Sequence, residues 1–157
     1  MRQNVTGNLI AHRAYVLNEL ENCLTVLAID AKDGTLSRAA NKVPYKVEGA
    51  TAGTRQYGSG IELAPDGRTL YVSNRGDGAI LVFSVLEESP FLRQIQTVKS
   101  GGTWPRYICL VGKYLLAPDE RNSSMDVFEI DAKDDGRLRR AHATMPCGKA
   151  PSCLAII

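Results

Sequence analysis

Glu19, Arg75 and Arg106 are the residues whose types and spacing suit chemistry on a carbonyl compound. Glu19 and Arg75 each stand one position past an asparagine that closes a β-branched and aromatic run, in Tyr15-Val16-Leu17-Asn18-Glu19 and Tyr71-Val72-Ser73-Asn74-Arg75. A carboxylate so placed can serve as general base toward water or a ring hydroxyl. A guanidinium can hold a carboxylate or phosphate bidentately and stabilise an oxyanion as it develops. Taken without context, Glu19 and Arg75 read as a surface ion pair worth under about 1 kcal/mol, and Arg106 as a rim residue. The elements that carry them decide between these readings.

Those elements recur. After Asn18, Asn74 and Asp119 the chain turns and enters a second apolar run, at Cys23–Asp30, Ala79–Val85 and Ser124–Asp131, with a valine always eight positions beyond the turn residue. A period of about 40–50 residues built from strands alone is the mark of propeller blades. Each copy unpacks into four strands. In the middle copy these are Ser59–Ala64, Thr69–Ser73, Ala79–Val85 and Phe91–Val98, with Pro65-Asp66-Gly67 as a turn in which Pro presets φ and Gly accepts a positive one. In the third copy Arg106–Leu110 leads through Val111-Gly112-Lys113 into Tyr114–Ala117, then Met125–Asp131 and Arg137–Thr144. The first copy has only Asn4–Ile10 as a degenerate opening strand.

The expected fold is therefore all-β: one propeller segment over 1–157, with antiparallel four-stranded blades at about 5–43, 58–98 and 105–144. Pro151–Ile156 repeats the opening of the third copy and is expected to be a closing strand that completes a blade begun at the other terminus. Three blades and a strand fall short of the four to eight of a closed ring. Pro44–Tyr57 is the longest irregular stretch, and no helix is predicted. Asn18, Asn74 and Asp119 are expected to form turns through their short side chains.

The totals exclude several classes. Nineteen basic and 17 acidic residues give a net charge of +2, which favours neither nucleic acid nor an anionic membrane as partner. No stretch approaches the ~18 apolar residues of a membrane span, and Met1–Ile10 lacks a signal peptide's apolar core. The four cysteines show no Cys-x-x-Cys pair and no nearby His at zinc-ligand spacing. Three sit where a strand takes a small apolar residue, so all are expected to be reduced thiols in a cytoplasmic protein. His12 and His142 are expected to be solvated. Ser100-Gly101-Gly102 lacks the rest of a phosphate loop, and Gly58-Ser59-Gly60 lacks the strand-to-helix setting of a nucleophile elbow.

Asn18-Glu19-Leu20, Pro65-Asp66-Gly67-Arg68 and Ser73-Asn74-Arg75-Gly76 in consecutive blades resemble the lactonase-type seven-bladed propellers, as do Gly101–Arg106 and Ala150–Cys153. That family includes the propeller-type 6-phosphogluconolactonase and the carboxymuconate lactonising enzyme, and the likeness covers only the C-terminal portion of its length. The resemblance implies a small-molecule lactone as substrate and no cofactor, and no cluster of residues has metal-ligand spacing, so no metal is expected. It implies Glu19 and Arg75 as catalytic residues and Arg106 as a substrate-binding residue at the central channel. Family members open this region with Gly-x-Arg-His, where this chain has Met1-Arg2-Gln3-Asn4, so Arg2 is a further substrate-binding candidate with a one-residue slip. Gly60 replaces an acidic residue common before Ile61. The favoured expectation is hydrolysis of 6-phosphogluconolactone; the alternatives are a muconate-type cycloisomerase and a non-catalytic interaction scaffold. Self-association, or association with the missing blades, would complete the ring.

Overall fold

Strict alternation of apolar side chains on both faces of a strand is only stable when both faces are covered. In the computed structural model, which describes residues 12–156, the middle blade meets that condition. Its strands are β5 (Tyr57–Leu63), β6 (Thr69–Arg75), β7 (Ala79–Val85) and β8 (Leu92–Lys99), given these labels because four strands precede them. They lie in the order β5-β6-β7-β8, all antiparallel. Along β7, Leu81 and Phe83 face one way and Ile80 and Val82 the other. All four are buried.

Each face meets a neighbouring blade. The first comprises β1 (His12–Asn18), β2 (Cys23–Ile29), β3 (Leu36–Arg38) and β4 (Val43–Pro44), and its Leu24 and Val26 pack on Leu70, Val72, Leu81 and Phe83. The third comprises β9 (Cys109–Val111), β10 (Tyr114–Asp119), β11 (Ser124–Asp131), β12 (Arg137–Arg140) and β13 (Met145–Pro146). Its Ile108, Leu115, Ala117, Phe128 and Leu138 pack on Tyr71, Ile80 and Val82. The two cores are thus interfaces between blades, which is why a single blade has no core of its own.

The turns form as their residues dictate. Gly67 takes φ +71° while the Asp66 carboxylate accepts a hydrogen bond from Arg68 N at 2.9 Å. The near-duplicate segments after Asp30 and Asp131 fold alike. In each, the aspartate carboxylate accepts from the backbone N–H two residues on, at 2.8 and 3.0 Å, and the closing glycine (Gly34, Gly136) takes φ +75°.

Several expected boundaries move. β5 carries a bulge between Gly58 and Ile61 rather than running evenly. The third blade's opening strand begins at Cys109, not Arg106, and Pro105 makes only an isolated bridge to Asp119. Residues 105–108 instead lean on the middle blade: the Ser59 hydroxyl bonds Pro105 O at 2.6 Å, and a Cβ on Gly60 would come within 3.0 Å of Ile108 N. That close approach accounts for Gly60. The outer strands of the first and third blades are each split in two, into β3/β4 and β12/β13. Among the described residues, Pro151–Ile156 pairs with no strand. Asn4–Ile10 and Arg2 lie outside the described residues. Of the cysteines only Cys23 is buried; Cys153, expected on a strand, is exposed.

Within 44–57, Tyr45 inserts into the first core, its hydroxyl 3.3 Å from both Asn22 Oδ1 and Asn74 Oδ1. Burial pushes the Tyr45 and Tyr71 phenols up to about 12. Between the unfolded value near 10 and this folded value the native state holds protons that the unfolded chain has lost, so stability falls as pH rises through that window. Alkaline titration followed by phenolate absorbance is therefore expected to show a late step that coincides with unfolding. Tyr45→Phe should reduce its amplitude; an unchanged late step would contradict the assignment.

Candidate active site

The loops that leave β1 and β6 lie at one end of adjacent blades, and β1 packs on β5. Asn18 and Asn74 hold these strand ends. Asn18 Nδ2 donates to Thr25 Oγ1 at 2.8 Å, and the fully buried Asn74 donates from Nδ2 to Gln56 Oε1 at 2.7 Å. The asparagines are therefore clamps to other segments as well as turn residues. They deliver Glu19 and Arg75 to one another: Arg75 Nη2 donates to Glu19 Oε1 at 2.7 Å.

The two partners differ in setting. Glu19 is about half exposed, whereas the Arg75 side chain is only 13% exposed. Arg75 sits against a pair of touching aromatic rings, its guanidinium carbon 5.7 Å from the Tyr57 centroid and 5.3 Å from that of Trp104, the two centroids lying 6.0 Å apart. Among the described residues its buried Nε has no hydrogen-bond partner, so the neighbouring rings, the Glu19 carboxylate and a long contact to Gly58 O carry its stabilisation. A guanidinium confined this way is preorganised, which is what electrostatic stabilisation of a reacting group requires.

Glu19, Arg75 and Arg106 line one cavity of about 480 Å³ between the first two blades, with Leu17, Ser59 and Ile61 also in its wall. Arg106 lies just ahead of β9 and pairs with Glu120 at 2.9 Å. Glu120, and Glu19 beyond it, hold the Arg106 guanidinium more firmly protonated than usual. The structure thus brings Glu19, Arg75 and Arg106 together, as two ion pairs flanking one opening. Ser59 is no free nucleophile, since its hydroxyl lies 2.6 Å from Pro105 O and 2.9 Å from Ser73 Oγ. Among the described residues, no group of three or more His, Cys, Asp or Glu side chains is placed to hold a metal ion. His12 and His142 are exposed and away from this cavity's lining.

Sequence reasoning missed these two rings. Tyr57 and Trp104 occupy equivalent places, each two positions ahead of the first-strand residue that enters the cavity wall, Ser59 and Arg106. An aromatic recurring there in two blades was the available signal. A second missed layer holds Trp104. Asp119, wholly buried, accepts from Trp104 N at 2.6 Å and Asn122 N at 2.9 Å, and Trp104 O accepts from Glu120 N at 3.1 Å. Asp126, also wholly buried, accepts from Gly101 N at 2.6 Å, from Thr144 Oγ1 at 2.6 Å and from Arg140.

Antiparallel blades of about four strands, packed face to face, define this chain as a segment of a β-propeller. Residues 9–156 match the family described as "Lactonase, 7-bladed beta-propeller", and the chain belongs to that family. It is 33% identical over 134 residues to the 6-phosphogluconolactonase of Bacillus subtilis (strain 168), spanning 84% of this chain and 37% of that protein. Among solved structures it is similar to the Pseudomonas aeruginosa periplasmic gluconolactonase PpgL, with a TM-score of 0.77 and 25% identity over 91% of this chain and 39% of that one. A protein from Lactobacillus plantarum, at 23% identity over 88% of this chain and 39% of that one, matches with the same TM-score of 0.77 and supports the fold alone. The chain therefore spans less than two-fifths of the length of these relatives.

Proposed function

We propose that this chain contributes to a lactone hydrolase whose substrate is 6-phosphogluconolactone. The observation that carries this reading is the Glu19–Arg75 pair at the mouth of the inter-blade cavity, in a chain 33% identical to a 6-phosphogluconolactonase. Glu19 has one oxygen engaged by Arg75 and accepts no other hydrogen bond from the described residues. That second oxygen takes a proton from water as the water oxygen bonds to the lactone carbonyl carbon. Arg75, held against Tyr57 and Trp104, stabilises the oxyanion. Collapse of the tetrahedral intermediate breaks the ring C–O bond, and the proton held by Glu19 passes to the departing alkoxide, giving the open hydroxy acid. Arg106, in the wall of the same cavity, orients the lactone ring through the N–H groups that Glu120 leaves free.

Four free thiols fit a reducing, cytoplasmic setting, and the substrate class fits carbohydrate metabolism. Among the described residues no helix is long and apolar enough to cross a membrane. The outer blades expose Val16, Leu36 and Met145, faces that further blades, or a second copy of the chain, would cover. The direct test is lactone disappearance above the spontaneous rate, with 6-phosphogluconolactone, gluconolactone and muconolactone compared. Acceleration of the first is expected. Ligand binding without turnover would support an interaction scaffold instead, and turnover of the muconate compound alone would support the cycloisomerase.

A further inference from the structure

The two named relatives act on lactones that differ by a phosphate, and the structure holds a group suited to reading that difference. Trp104 is the chain's single tryptophan. Arg75 lies 5.3 Å from its ring centroid, on the side of the cavity, and the Arg121 guanidinium carbon lies 3.3 Å from the same centroid. The two guanidiniums are therefore separated by no more than the sum of those distances. Arg121 is exposed and paired with no carboxylate among the described residues, whereas Arg75 and Arg106 are each engaged by a glutamate. A guanidinium stacked flat on an indole spends its π face on the ring and keeps its in-plane N–H fork for a ligand.

The stack is held in place rather than resting on a loose loop. Asp119 binds Trp104 N and Asn122 N, so it fixes both the ring and the turn that presents Arg121. Thr103 N donates to Asn122 Oδ1 at 3.3 Å, which ties the two loops together again. Ordering costs for Arg121 are thereby largely met before a ligand arrives.

We propose that Arg121, stacked on Trp104 next to Arg75, is a specificity-determining residue that binds the phosphate monoester of a substrate whose carbonyl end lies at the Glu19–Arg75 pair. This rests on the lactone reading above and deepens it: Glu19 and Arg75 act at the carbonyl end, and Arg121 reads the phosphorylated end. A bidentate charge-assisted contact of this kind accounts for about ten- to a hundredfold in affinity.

The test is calorimetric titration of the full chain with 6-phosphogluconate, gluconate and inorganic phosphate, with Trp104 emission recorded in parallel. Tighter binding of 6-phosphogluconate than of gluconate is expected, with a change in Trp104 emission for the phosphorylated ligand and a weaker one for inorganic phosphate. Arg121→Gln should abolish that preference and leave gluconate affinity unchanged; Arg121→Lys, which keeps the charge and loses the fork, should recover part of it. Equal affinity for the two sugar acids in the parent chain, or a preference that survives Arg121→Gln, overturns the assignment while leaving the Glu19–Arg75 reading intact. Phosphate-dependent binding without lactone hydrolysis sinks the hydrolase reading and leaves the Arg121 subsite standing. Absence of binding by either sugar acid overturns both.

Discussion

Glu19→Gln is expected to lower lactone hydrolysis by about a hundred- to ten-thousandfold while leaving substrate affinity nearly unchanged. Glutamine keeps the shape of the side chain and an oxygen that can still accept from Arg75 Nη2, which now stands 2.7 Å from Glu19 Oε1. What it removes is basicity. The magnitude separates two readings of the pair. As an ion pair with one half-exposed partner, Glu19–Arg75 contributes under about 1 kcal/mol to stability. As base and oxyanion holder, each is worth several times that in the transition state. Arg75→Lys should cost about a hundred- to a thousandfold, because lysine lacks the fork and the planar face that Tyr57 and Trp104 receive. The double variant should be no worse than the poorer single one if the two act on one step. The measurement is kcat and KM on the lactone, corrected for spontaneous opening. An unchanged kcat in Glu19→Gln would return the pair to a structural role.

Asp119→Ala is expected to destabilise the chain by about 2–4 kcal/mol, since it removes a wholly buried carboxylate and the two charge-assisted hydrogen bonds it accepts from the half-buried Trp104 N and from Asn122 N. For a chain of this size that corresponds to a fall in unfolding midpoint of roughly 5–15 °C. Gly102→Ala attacks the same contact from the other side. A Cβ at Gly102 would overlap the Asp119 carboxylate, itself fully buried and unable to retreat. Both variants should therefore shift the Trp104 emission toward that of a solvated indole, and both should lose activity by releasing one of the two rings that hold Arg75. Thermal unfolding followed by tryptophan fluorescence reads stability and loop position together. A Gly102→Ala protein with the parent's midpoint and emission would show that the 100–104 loop has slack that the structure does not indicate.

Much of this architecture was legible in advance because it is set locally. β6, β7, β8 and β11 fall within a residue or two of the expected runs, since period-two alternation and β-branched residues act over neighbours only. The turns at Asp66-Gly67 and at the twin Asp30 and Asp131 segments behave as their side chains require. The repeat also singles out Glu19 and Arg75 as candidates, because they fill a position at which its copies differ while the preceding asparagine is kept.

Contacts between blades were not legible, and these complete the site. Residues 105–108 leave their own sheet because Ser59 and Gly60, some 46 positions earlier, offer a better partner. The outer strand of the third blade breaks after Arg140 because Arg140 and Thr144 turn to serve the buried Asp126. Nothing in the local sequence marks Asp119 and Asp126 as buried; the register of β10 and β11 against the 100–104 loop does that. Strand, turn and period were thus determined by the sequence alone, through forces that reach a few residues along the chain. Which ring stacks on Arg75, and why Arg121 keeps its N–H fork exposed, was decided only by tertiary structure, where segments far apart in sequence share one desolvated corner and each polar group must find its partner there.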